Sequence, residues 1–137
     1  MTELEIFERL RPLVKEVTGV PVERIHMEHV LMENLGAESL DLLDLSFLIE
    51  ERFGITIGSH EFEDQAKARL PGGVYEKEGF LTPEALVELR RALPEIPPAR
   101  LVPGLRKLEL PSLLTVSVFV HLIQRKLAEK TRMVTDA

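Results

Sequence analysis

The chain has 137 residues, 45% of them apolar and none of them cysteine, and its net charge of −6 is unevenly spread: residues 1–64 carry 15 acidic and 5 basic side chains, residues 65–137 carry 8 and 12. This length suits one domain, and the missing cysteines exclude disulfides, thiolate nucleophiles and Cys-ligated metals. The acidic first part repels nucleic acid, the basic residues of the second form no aromatic-interleaved patch, and the longest nearly apolar run, Leu113 to Val120, is far short of the ~18 residues that span a bilayer.

Helical patterns dominate. Thr2-Glu3-Leu4-Glu5 has the form of a capping box, and Ile6, Leu10, Leu13, Val14 and Val17 follow at helical spacing until Gly19-Val20-Pro21 stops the run. Pro12 sits inside this helix and costs it a backbone hydrogen bond, which predicts a kink or a break near Arg11. A long connection from Thr18 to Glu38 contains a turn at Val22–Ile25 and the core candidates Val30, Leu31, Met32 and Leu35. The second helix is predicted over Ser39–Phe53, with Leu42, Leu45, Ile49 and Phe53 on one stripe, Asp41, Asp44 and Glu51 on another, and Gly54 as its end. Ile55-Thr56-Ile57 reads as an extended link, and a weaker helix is expected from Ser59 to about Leu70. After the turn-rich stretch 70–80, Thr82-Pro83 starts a helix that ends near Leu93. A proline-rich return leads to a last helix expected from Pro111-Ser112 to about Lys130.

Ser39 stands at the start of an acidic, leucine-rich helix, three residues after Gly36. As a helix N-cap its hydroxyl would accept a backbone N–H. The same position favours a phosphate ester, because unpaired N–H groups and the positive end of the helix dipole lie beside it. A catalytic role has less support, since the segment lacks the Gly-x-Ser-x-Gly elbow and His26, His29, His60 and His121 are scattered. His26 and His29 with Glu33 make a weak metal pattern that two solvated histidines explain better.

Residues 34–57, NLGAESLDLLDLSFLIEERFGITI, resemble the core of the acyl carrier proteins. Leu35-Gly36 matches the family's turn and Ser39-Leu40-Asp41 its modification site. Glu50-Glu51 with Phe53-Gly54-Ile55 matches the end of its second helix. Residues 21–25, PVERI, resemble the preceding loop, and Thr115-Val116 with the apolar residues after them resemble the last helix. The likeness covers about 1–64 and 112–130. It departs at Glu38, where aspartate is usual, at Asn34 and Arg52, where acids are common, and in the stretch 65–111, which separates helices that the family keeps close.

The resemblance implies an all-α, acyl-carrier-protein-like four-helix bundle with an additional inserted helical segment, forming a single domain over 1–137 with an insertion at about 65–111. It implies a carrier, not an enzyme, with no catalytic or metal site. Ser39 would bear 4′-phosphopantetheine, with Gly36, Glu38 and Leu40 around the attachment point. Partner enzymes would meet Leu40, Asp41, Leu43, Asp44, Phe47, Glu50 and Glu51. An acyl chain would lie among Phe7, Leu10, Val14, Leu45, Ile49, Phe53, Val118 and Leu122. The implied partners are a phosphopantetheinyl transferase and the acyl-chain synthases, reductases or acyltransferases of lipid, fatty acid or polyketide biosynthesis. The acidic start MTELEIFERL is unlike a signal peptide, so a cytoplasmic protein is expected; a monomer is expected as well. The insert is expected to pack over the bundle, enlarging the pocket or serving one dedicated partner. The rival reading is a carrier-fold interaction or scaffold protein that is never modified.

Overall fold

The computed structural model describes residues 1–58, 61–70 and 72–136. The chain divides into two compact units, Met1–Ile57 with Thr115–Ala137, and Gly58–Leu114.

The first unit is a helical bundle of α1 (Glu3–Thr18), α2 (Leu31–Leu35), α3 (Ser39–Phe53) and α6 (Val116–Asp136); the all-α, acyl-carrier-like class is as implied, but α2 lies in the stretch 18–38 read as a connection. The predicted capping box opens α1: the Thr2 hydroxyl accepts the Glu5 N–H at 3.1 Å and the Glu5 carboxylate accepts the Thr2 N–H at 3.0 Å. Those bonds to Thr2, the one from its backbone first, hold the Glu5 carboxyl below its usual value. Helix α1 is continuous through Pro12, so the break expected near Arg11 does not occur. Its neighbours Leu10, Leu13 and Val14 are buried while Pro12 faces solvent. Burial of about 1.5–3 kcal/mol for each of those side chains outweighs the ~3 kcal/mol that an interior proline costs.

Helix α1 packs against both α3 and α6, and α3 against α6. The core they enclose includes Ile6, Leu10, Val14, Leu45, Ile49 and Ile123. Helix α3 has the predicted bounds and ends at Gly54, whose left-handed φ of 66° few other residues adopt without strain. Helix α6 begins at Val116 and not at Pro111-Ser112, which lie in a 3-10 segment, Lys107–Leu113. Thr115 decides that start. Its buried hydroxyl accepts the Val118 N–H at 3.2 Å. Its backbone pairs with Val30, while Val116 and Ser117 donate to the carbonyls of His29 and Met27. The loop before α2 is therefore stitched to the start of α6.

The second unit contains α4 (Glu61–Ala68), a hairpin of β1 (Glu76–Lys77) and β2 (Phe80–Leu81), and α5 (Pro83–Ala92). Ser59, the expected start of the third helix, and His60 lie outside the described residues. Helix α5 starts as predicted, with the Thr82 hydroxyl accepting the Ala85 N–H at 3.2 Å and Pro83 in the first turn. Helices α4 and α5 pack together. The hairpin was not foreshadowed by periodicity: its antiparallel register pairs Glu76 with Leu81 and Lys77 with Phe80. Glu78 and Gly79, at φ 55° and 88°, make the two-residue turn with both φ positive that suits a tightly twisted hairpin. Phe80 also bridges Arg106, and the Lys107 ammonium joins the Glu76 and Glu63 carboxylates at 3.2 and 3.9 Å.

Candidate functional site

The site is built at the turn between α2 and α3. Asn34 holds the start of α2, its side-chain oxygen accepting the Val30 N–H at 2.7 Å. Gly36 ends that helix with a left-handed φ of 73°, and the Ala37 N–H closes the turn onto the Leu31 carbonyl at 3.0 Å. Ala37 is buried, so the chain is pinned immediately before it leaves for α3. Glu38 then takes the N-cap position in an extended conformation, and its N–H donates to Asp41 Oδ2 at 2.8 Å.

Ser39 is accordingly the first residue of α3 and not its cap. Its side chain is exposed, and its hydroxyl has no hydrogen-bond partner among the described residues. The cap reading of Ser39 thus gives way to a free hydroxyl at the N-terminus of a 15-residue helix. The first-turn N–H groups there lack intrahelical acceptors and concentrate partial positive charge.

Beyond the serine, α3 shows solvent an apolar row of Leu40, Leu43 and Phe47, which are 70%, 47% and 58% exposed. Asp44 and Glu51 are exposed along it. Asp41 and Glu50 are half-buried, and each gives a carboxylate oxygen to the backbone: Asp41 to Glu38, Glu50 Oε2 to the Ile57 N–H at 2.7 Å. These backbone roles were missed from sequence, although the three-residue spacing from Glu38 to Asp41 is that of a cap and its third helical residue.

The family described as "Phosphopantetheine attachment site" matches residues 8–69. The "Acyl carrier protein" of Campylobacter hominis is 38% identical over 60 residues, covering 44% of this chain and 76% of that protein. That of Saccharopolyspora erythraea is 38% identical over 63 residues, covering 46% of this chain and 66% of that protein. That of Thermotoga maritima is 36% identical over 59 residues, covering 43% of this chain and 73% of that protein. The chain belongs to the acyl carrier protein family. No solved structure matches it.

The family match ends at residue 69, just beyond α4, so the hairpin and α5 lie outside it. Of the residues that the acyl carrier likeness assigns to an acyl chain, Leu10, Val14, Leu45, Ile49, Phe53, Val118 and Leu122 are buried. Phe7 is half-buried, with the Arg11 guanidinium 5.1 Å from its ring centre. His26, His29 and His121 are engaged locally. His29 Nδ1 accepts the His26 N–H at 3.1 Å, and His121 lies 3.0 Å from the Glu3 carboxylate. Among the described residues, no three His, Asp or Glu side chains gather as a metal site, and no helix is long and apolar enough to cross a membrane.

Proposed function

We propose that this member of the acyl carrier protein family holds acyl intermediates as thioesters on a 4′-phosphopantetheine arm joined to Ser39, and presents them to enzymes of lipid or polyketide biosynthesis. The observation that carries the reading is the Ser39 hydroxyl, exposed and unpartnered at the N-terminus of α3 inside the family match. The residues present fit the group: a free hydroxyl to esterify, and helix N–H groups beside it to receive a phosphate. The arm would supply the terminal thiol that this cysteine-free chain lacks.

In modification, the Ser39 oxygen attacks the β-phosphorus of coenzyme A. A phosphoester bond forms and the pyrophosphate bond breaks, adenosine 3′,5′-bisphosphate leaves, and the hydroxyl proton passes to a base on the transferase. Gly36, Glu38 and Leu40 frame the serine. Leu40, Leu43 and Phe47 offer apolar anchors to partner enzymes, with Asp44 and Glu51 steering encounters, an arrangement that favours fast, weak association. The buried side chains of α1, α3 and α6 named above are the proposed lining for an apolar acyl chain. The chain itself performs no catalysis in this reading, works in the cytoplasm as a monomer, and serves synthases, reductases or acyltransferases. The excursion over 65–111 is proposed to make it a specialised carrier.

Intact mass with coenzyme A and a broad-specificity phosphopantetheinyl transferase tests the assignment. A gain of one phosphopantetheine that disappears in Ser39→Ala is expected. A protein recovered unmodified from its own host, and refractory in vitro, would overturn it.

A further inference from the structure

We infer that Asp41 is a positioning residue for the modification of Ser39, acting through the backbone that carries the serine and not as a charge offered to a partner. The inference rests on the reading of Ser39 as the attachment point.

Several restraints lead the chain into the serine, among them the Leu42 N–H on the Glu38 carbonyl at 3.2 Å. The left-handed Gly36 and the Ala37 N–H on the Leu31 carbonyl fix the chain up to residue 37. The next donor is the Glu38 N–H, the last backbone donor before the serine. It is taken by Asp41 Oδ2 at 2.8 Å, from the first turn of the helix that Ser39 opens. Without that bond the peptide between Ala37 and Glu38 can rotate, and the rotation would swing the Ser39 Cβ that follows. Asp41 is half-buried against this turn, whereas Asp44, three residues on, is exposed. One carboxylate is spent on geometry and the other is left to solvent.

The chemistry is sensitive to such a shift. An in-line displacement at phosphorus needs the nucleophile opposite its leaving group, and small misplacements lower the rate of the step more than they weaken binding. A contact made by charge behaves differently: its loss raises KM and depends on salt. Asparagine keeps an acceptor oxygen in the same place and loses the charge; alanine loses both.

The test is transferase kinetics on wild type, Asp41→Asn and Asp41→Ala, with amide hydrogen exchange at Glu38 as a readout independent of the enzyme. Asp41→Ala is expected to lower kcat about tenfold with KM changed by less than about twofold, and Asp41→Asn to recover most of that loss. Glu38 exchange should quicken in the alanine variant and be slowed again by asparagine. Asp41→Ser, a shorter acceptor, replaces the alanine variant should that one fail to fold, and is expected to fall between the other two. Equal impairment of Asp41→Asn and Asp41→Ala through a salt-sensitive rise in KM overturns the inference in favour of a charge contact. Unchanged Glu38 exchange in Asp41→Ala overturns it as well. A wild type that takes no phosphopantetheine, while Glu38 exchange responds as expected, brings down the reading of Ser39 and with it the inferred role in modification.

Discussion

The Lys130 ammonium donates a hydrogen bond to the Gly54 carbonyl at 2.8 Å, joining α6 to the residue that ends α3. A Cβ on Gly54 would stand 3.0 Å from that same nitrogen, and φ there is 66°. Gly54→Ala therefore meets two penalties, a left-handed backbone and a displaced lysine, and should cost about 1–2 kcal/mol. Lys130→Met removes only the exposed bond and should cost about 0.5–1 kcal/mol. Urea unfolding followed by helical circular dichroism separates the two.

Tyr75 is the only tyrosine, and the chain has no tryptophan, so its titration can be followed without interference. Its hydroxyl is buried and has no hydrogen-bond partner among the described residues. Burial pushes its pKa well above the ordinary 10, and the charges of Glu63, Glu76 and Asp64 push it further. The folded protein then keeps the proton at pH values where the unfolded chain releases it. Stability should be independent of this group below pH 10 and fall as pH rises past it. Phenolate absorbance is expected to develop late, together with unfolding. Tyr75→Phe removes a donor that has no partner, and should be neutral or stabilising by on the order of 1 kcal/mol.

Leu45 and Leu43 lie two residues apart on α3, one fully buried and the other 47% exposed. Leu45→Ala should destabilise by about 2–5 kcal/mol in thermal or urea unfolding. Leu43→Ala should stay within about 0.5 kcal/mol of wild type, while weakening productive encounters with partner enzymes. A Leu43 variant as unstable as the Leu45 one would place Leu43 in the core and not on the docking row.

Asp44→Lys reverses an exposed charge beside Leu43 and Phe47. Turnover of the loaded carrier by a partner enzyme should slow about tenfold at low salt and converge toward wild type as salt rises. Turnover identical to wild type at low salt would reduce the acidic row to an ordinary solvated face.

Where a local rule and a packing rule agree, the sequence is transparent. The Thr2–Glu5 box and the Thr82-Pro83 start each combine a capping signal with an apolar stripe and appear in the structure as read, and the bounds of α3 follow its apolar stripe although its cap is Glu38 and not Ser39. Where the rules disagree, the local one misleads. Pro12 predicts a break, but the apolar residues around it are buried and carry the helix through. Pro111-Ser112 looks like a helix start, but the decisive cap is Thr115, whose position depends on pairing with a loop some 85 residues earlier in the chain, at Val30. The hairpin escapes because two-residue strands show no alternation, and its turn uses Glu78 where asparagine or aspartate would have signalled it. At the candidate site, the place of Ser39 at the start of α3 was legible from its neighbours. The engagement of Asp41 and Glu50 with the backbone was not, because acids on an exposed stripe read alike whether they face solvent or fold back.

The boundaries of the two units do not coincide with those of the family match. The match runs from 8 to 69, while the first compact unit is left at Ile57 and resumed at Thr115. Helix α4, which the family match includes, makes its packing partnership with α5, which the match leaves out. For protein engineering this sets the seams. A chimera cut at residue 69 would strip α4 of the helix it packs against, whereas exchanges made at 57/58 and 114/115 would carry each set of mutually packed helices across whole.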